Sequence, residues 1–211
     1  MWDKKIIAIS DRKCVEIDFL KQIEKLAKAK VDAIVLREKD LSEFEYYDLA
    51  KEVLSICAKQ KVTCFLHFFD RECLKLGHRY FHAPLSLLRK EPKLTKYFHI
   101  LGTSVHSKEE LLEAMSYKVN YAFVGHIFES SCKMGLEPKG IDFLKSLLEF
   151  SQIPLYAIGG INAQNIENFK DINVVGVCMR EILMKEKDLK KYLLECRQNL
   201  RRIKFFLYQK I

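Results

Sequence analysis

The sequence has no apolar run approaching the length of a membrane span, so no transmembrane helix is expected. Its first residues, MWDKKII, lack the apolar stretch of a secretory signal, and the expected location is the cytoplasm. Seven cysteines are present but none forms a CxxC pair. An odd, unpatterned set points to reduced thiols and away from a disulfide framework or a zinc site. No linker or low-complexity segment interrupts the 211 residues, so a single domain spanning 1–211 is expected. No basic stripe is interleaved with exposed aromatics. The net charge of +8 is therefore read as a solvated basic face plus a small anionic partner, with neither nucleic acid nor membrane expected as a partner. Nothing in the pattern sets the oligomeric state, and a homo-oligomer is left open.

What is there is alternation. Short apolar runs at Ile6–Ser10, Asp32–Leu36, Thr63–Phe69, Tyr80–His82, His99–Thr103, Tyr121–Val124, Pro154–Ile158 and Val174–Cys178 read as eight strands. Amphipathic stretches lie between them. Ser42 with Glu45, and Ser107 with Glu110, have the spacing of capping boxes. Asn162 is expected to cap a short helix through Ile166 and Phe169. Leu189, Leu193, Cys196, Leu200, Ile203 and Leu207 mark a long final helix. Eight strand–helix units predict a parallel sheet closed into a (β/α)8 barrel. An open doubly wound sheet would call for a glycine-rich first turn, but Ser10-Asp11-Arg12 stands there, without GxGxxG.

In such a barrel the site lies at the C-terminal ends of the strands. Those ends carry Ser10–Arg12, then Arg37, Glu38 and Lys39, then His67 and His82. Ser104 and His106 follow, then His126 with the Ser130–Lys133 loop, Gly159 and Gly160, and Met179 with Arg180. A histidine can move a proton near neutral pH. A hydroxyl- and glycine-rich loop with one lysine can hold an anion through backbone N–H groups and an ammonium. Gly159 and Gly160 permit the close approach by which the last loops of a barrel seat a phosphate. Arg37, Glu38 and Lys39 also fit a plain salt-bridge cluster, and the two glycines a plain tight turn. His78 and His99 are read as structural or exposed, and Cys132 as incidental.

The segments IIAISDR, LREKD, GTSVHSKEE, VGHIFESSCKMGLEPKG and PLYAIGGI together resemble the thiamin phosphate synthase and thiazole tautomerase superfamily along nearly the whole chain. The departures favour the tautomerase branch. Val35 stands where synthases have a glutamine before LREK. His67 and Phe68 replace an Asn-Asp pair whose aspartate binds magnesium. The segment His82–Leu88 has no carboxylate where a second ligand is expected. Displacing pyrophosphate needs Mg²⁺ held by hard oxygens, which phenylalanine does not supply. The GHxFExxCKxGLExxG loop instead resembles the tautomerase branch, whose proton-transfer histidine corresponds to His126. The resemblance implies isomerisation of a carboxythiazole phosphate to its aromatic tautomer, with no metal and no cofactor. With the strand-end reading, the substrate is expected on Arg37, Lys39, Ser104, His106, Ser130, Lys133, Gly159, Gly160 and Arg180. The alternatives are a synthase with an altered metal site and a non-catalytic phosphate-ligand-binding relative.

Overall fold

The computed structural model describes residues 4–130 and 135–201. Eight parallel strands close into a barrel in chain order: β1 Lys5–Ile9, β2 Ala33–Leu36, β3 Thr63–His67, β4 Tyr80–Ala83, β5 Ile100–Val105, β6 Tyr121–Gly125, β7 Leu155–Ile158 and β8 Gly176–Met179. β1 pairs with both β2 and β8, which completes the ring. The strands read as continuous apolar runs because both of their faces are buried. Ile7, Ile9, Val35, Phe65, Tyr121, Phe123 and Cys178 fill the barrel interior. Their neighbours Ile6, Ala8, Ile34, Leu36, Leu66 and Phe81 pack outward against the helices. Each fully buried Ile, Leu or Phe contributes roughly 1.5–3 kcal/mol of apolar transfer.

The helices are α1 Phe19–Lys28, α2 Glu43–Gln60, α3 Asp70–Lys75, α4 Leu85–Lys90, α5 Lys108–Ser116, α6 Gly140–Phe150, α7 Glu181–Lys185 and α8 Leu189–Leu200. The Ser42–Glu45 capping box forms as expected. At Ser107 only half of the box forms. The Ser107 hydroxyl accepts from Glu110 N, but the Glu110 carboxylate accepts from His106 N at 2.6 Å. Its second bond thus ties down the loop that carries His106. The segment after Asn162 is a 3₁₀ turn, Ile166–Phe169, and not an α-helix. Here the Asn162 carboxamide accepts from Gln164 N and Asn165 N and so competes with helical pairing. Pro84 starts α4, and α7 follows Arg180 directly; neither helix was expected from apolar spacing. Of the long final helix, Leu189–Leu200 is helical, while Ile203 and Leu207 lie outside the described residues. No described helix is long and apolar enough to cross a membrane.

One buried hydroxyl fixes two strand ends beside the site. Tyr46, on α2, donates to Leu36 O at 2.8 Å and accepts from His67 N at 2.9 Å. It holds the tops of β2 and β3 in register and so sets where Arg37 and His67 emerge.

Candidate active site

A cavity of about 770 Å³ opens at the C-terminal mouth of the barrel, within the usual range for a small-molecule site. Its wall includes Arg37, Lys39, Ser104, His106, His126, Ser130, Gly159, Gly160 and Arg180. The residues expected to bind or turn over substrate thus converge there, except Lys133, which lies outside the described residues, whereas Ser10–Arg12, Glu38 and His82 do not line the cavity. His78, by contrast, is spent on Cys64 O at 2.9 Å, and His99 is exposed away from the mouth.

The three residues after β2 divide. Glu38 is buried and faces away from the cavity. It accepts from Ser10 Oγ at 2.6 Å and from Arg12 N at 3.1 Å, and pairs with the Arg12 guanidinium at 3.1 Å. Arg12 also grips Asp40 through two bonds of 2.7 and 2.9 Å, which holds the Asp40 carboxyl well below the usual carboxylate range. The salt-bridge reading therefore applies to Glu38 and Asp40. Arg37 and Lys39 turn to the cavity instead. Ser10 Oγ accepts from Arg37 N at 2.8 Å, so the buried clamp also orients the residue that enters the site. Burial lowers the pKa of the Arg37 guanidinium, and the positive charge of Arg180 lowers it further. Arg180 has Asp11 at 3.7 Å as an ion-pair partner. Two guanidiniums lining one mouth make a site that favours an anion.

His126 is buried, with 6% exposure, at the point where β6 opens into its loop. The Gly125–His126 peptide is cis. Its Nε2 lies 3.3 Å from Leu136 O. A carbonyl only accepts, so in the neutral ring this contact puts the proton on Nε2 and leaves a lone pair on Nδ1. Nδ1 is buried and has no hydrogen-bond partner among the described residues. Such an orphaned atom costs about 1–3 kcal/mol and is retained where something else uses it. The ring of His106 braces the strand end: its Nδ1 is 2.6 Å from Gly125 O.

Gly159 and Gly160 have a steric role that sequence spacing did not reveal. Both have positive φ, +106° and +66°. A Cβ on Gly159 would stand 2.3 Å from His126 Cβ, and one on Gly160 would stand 2.2 Å from Glu129 O. Their missing side chains let the β7 loop lie directly on His126 and its loop. Phe128 N donates to Gly159 O at 3.0 Å, which locks the two loops together.

The opposite wall is made of rings. His82, on β4, contacts Tyr121 Oη at 3.1 Å and Ser104 Oγ at 2.9 Å through its two nitrogens. Full burial, then the positive charge of Arg37, pushes its pKa down to about 3. His67 stacks on it at 5.8 Å. Its pKa also lies well below the usual value, from burial first and then from His82, Arg37 and Lys39. His67 Nδ1 is the second buried ring nitrogen without a partner among the described residues.

A family model described as thiamine monophosphate synthase matches residues 6–183. The chain belongs to this family. It is 30% identical over 194 residues to the thiamine-phosphate synthase of Fusobacterium nucleatum, covering 90% of this chain and 93% of that one. It is 32% identical over 166 residues to a putative thiamine-phosphate synthase 2 of Aquifex aeolicus, covering 77% and 88%. Among solved structures, thiamine phosphate pyrophosphorylase from Pyrococcus furiosus superposes with a TM-score of 0.79 at 22% identity, over 94% and 96% of the two chains. That likeness supports the fold.

The family places magnesium at the ends of β3 and β4, and the residues here do not fit it. These strands end in His67-Phe68 and His82-Ala83. Magnesium takes an octahedron of hard oxygens, whereas these strand ends offer two imidazoles and an aromatic ring. Among the described residues, no group of three or more His, Cys, Asp or Glu is arranged to hold a metal ion. The chain is thus a member of a thiamin-biosynthesis family with an altered metal position.

Proposed function

We propose that this protein is an isomerase of thiamin biosynthesis that aromatises a carboxythiazole phosphate tautomer, with His126 as the proton-transfer residue. The observation that carries the reading is the His126 ring, a residue of the cavity wall, with Nε2 on Leu136 O and a buried Nδ1 left without a partner among the described residues. Nδ1 takes the proton from C2 of the substrate ring. The resulting imidazolium delivers a proton to the exocyclic carbon, and the ring becomes aromatic. No electrons leave or enter. Positioned acid–base catalysis of this kind contributes roughly 10²–10⁴-fold.

The charged groups sort naturally onto such a substrate. Arg37 and Lys39 face its carboxylate. The backbone of Gly159 and Gly160, with Arg180, receives its phosphate; Ser104, His106 and Ser130 complete the polar rim. Lys133 belongs to the same loop in sequence.

The names of the relatives favour a second reading, thiamin-phosphate synthesis with displacement of pyrophosphate. The two readings differ in their need for a divalent ion. In excess chelator the isomerase is expected to convert the tautomer at an undiminished rate. Complete loss of activity, restored by Mg²⁺, would instead support the synthase.

A further inference from the structure

Phe68 is an anomaly on three independent counts. It is a large apolar side chain with 42% exposure, where most of the described phenylalanines are buried or half-buried. Its φ is +74°, in the left-handed region that non-glycine residues seldom enter. Phe69 N donates to His67 O at 2.9 Å across it, the hydrogen bond of a γ-turn with positive φ at its centre, which is the rarer and more strained form. A bulky residue in such a turn costs folding energy, and the fold retains it at the rim of the cavity.

It also ends a ladder of rings. Phe123, in the barrel interior, stacks on His82 at 4.2 Å and 24°. His82 stacks on His67 at 5.8 Å and 21°. His67 stacks on Phe68 at 6.2 Å and 24°. The ladder thus runs from a ring that is 2% exposed to one that is 42% exposed. Phe69 meets Phe68 at 79° and 5.1 Å, which steadies the last rung. Successive near-parallel rings at these spacings are the favourable offset arrangement. The open end of the ladder lies in the wall of the cavity that also holds His126, and the unpartnered His67 Nδ1 lies one rung behind it.

We propose that Phe68 is the specificity-determining contact for the flat heterocycle of the substrate, stacking on it and selecting planar ring ligands over simple phosphates. This inference rests on the isomerase reading for the identity of the ring. It assigns to Phe68 a binding role in place of the metal-ligand role that its position has in the family. Stacking of this kind acts on bound substrate and transition state alike, so it lowers KM and leaves kcat nearly untouched.

Glycine separates the binding role from a structural one, because glycine suits the φ of this turn. The full chain and its Phe68→Gly, Phe68→Leu and Phe68→Tyr variants would be titrated calorimetrically with the aromatic carboxythiazole phosphate, and separately with inorganic phosphate. Phe68→Gly and Phe68→Leu are expected to raise the Kd for the ring ligand about three- to tenfold, and Phe68→Tyr by no more than about twofold. The Kd for inorganic phosphate should stay the same in all three, KM should rise with kcat held, and Phe68→Gly should melt no earlier than the wild type. Unchanged ring affinity in both Phe68→Gly and Phe68→Leu overturns the proposal. So does equal weakening of both ligands, which would report a disturbed mouth. A wild-type protein that binds the ring ligand through Phe68 but converts no tautomer would support the ring contact while refuting the isomerase.

Discussion

The two flanks of the barrel mouth are made of opposite materials. The β6–β7 flank has almost no side-chain bulk at its centre: Gly159 and Gly160 lie backbone-to-backbone against the loop that carries His126. The β3–β4 flank is crowded with rings, and burial lowers the pKa of its two histidines. Arg37 and Arg180 stand between them as the cationic part of the wall. On one flank backbone packs on backbone; on the other, His67, Phe68 and His82 stack ring upon ring. The difference shows how one barrel carries two unlike surfaces at neighbouring strand ends, since each loop is free to vary on a common scaffold.

The first flank should fail abruptly. Replacing Gly159 by Ala forces φ +106° on a residue that resists it and drives a methyl into His126 Cβ at 2.3 Å. A destabilisation of about 2–4 kcal/mol is expected from strain and overpacking together. Urea unfolding would measure it, and a loss under about 0.5 kcal/mol, the scale of an ordinary surface change, would mean the loops are not locked as described.

The second flank should yield gradually, through acid. His67 and His82 have folded pKa values below the ordinary histidine value of about 6.5, His82 at about 3. Between those limits the unfolded chain binds protons that the folded chain refuses. Their contribution to stability is therefore full above about pH 6.5 and is lost as pH falls towards 3, by up to about 1.4 kcal/mol per pH unit for each histidine. Carboxylates add an acid slope of their own, so the informative comparison is between the wild type and His82→Phe. The variant should lose stability less steeply between pH 6.5 and 4.5. Parallel slopes would show that His82 is not held neutral.

The contrast between the flanks also explains what was legible in the sequence. Strand order and barrel closure could be read because each strand is an apolar run buried on both faces, bounded by polar residues. The convergence of Arg37, Lys39, His126 and Arg180 followed from strand ends alone. Glu38 could not be separated from its neighbours, because nothing local to Arg37-Glu38-Lys39 reveals that Arg12 and Ser10 reach across from another strand to claim it. The packing duty of Gly159 was hidden for the same reason: the atom that forbids a side chain there belongs to His126, a residue distant in sequence. Phe68 was visible only as a missing carboxylate, since a positive φ at a phenylalanine has no signature in composition or periodicity. The short helices α4 and α7 escaped because single turns are too short to show an apolar face.

The central claim is that one histidine nitrogen moves the proton. The direct measurement is tautomerisation by His126→Asn beside the wild type, with the Kd of the aromatic product measured on both. Asparagine keeps polarity and approximate size but removes the titratable nitrogen. The account predicts a fall in rate of ~10²-fold or more with product affinity nearly unchanged, because a proton-transfer group acts chiefly in the transition state. An undiminished rate in His126→Asn would contradict it. Loss of product binding in step with the rate would likewise contradict it, by making His126 an anchor of the mouth and not its base.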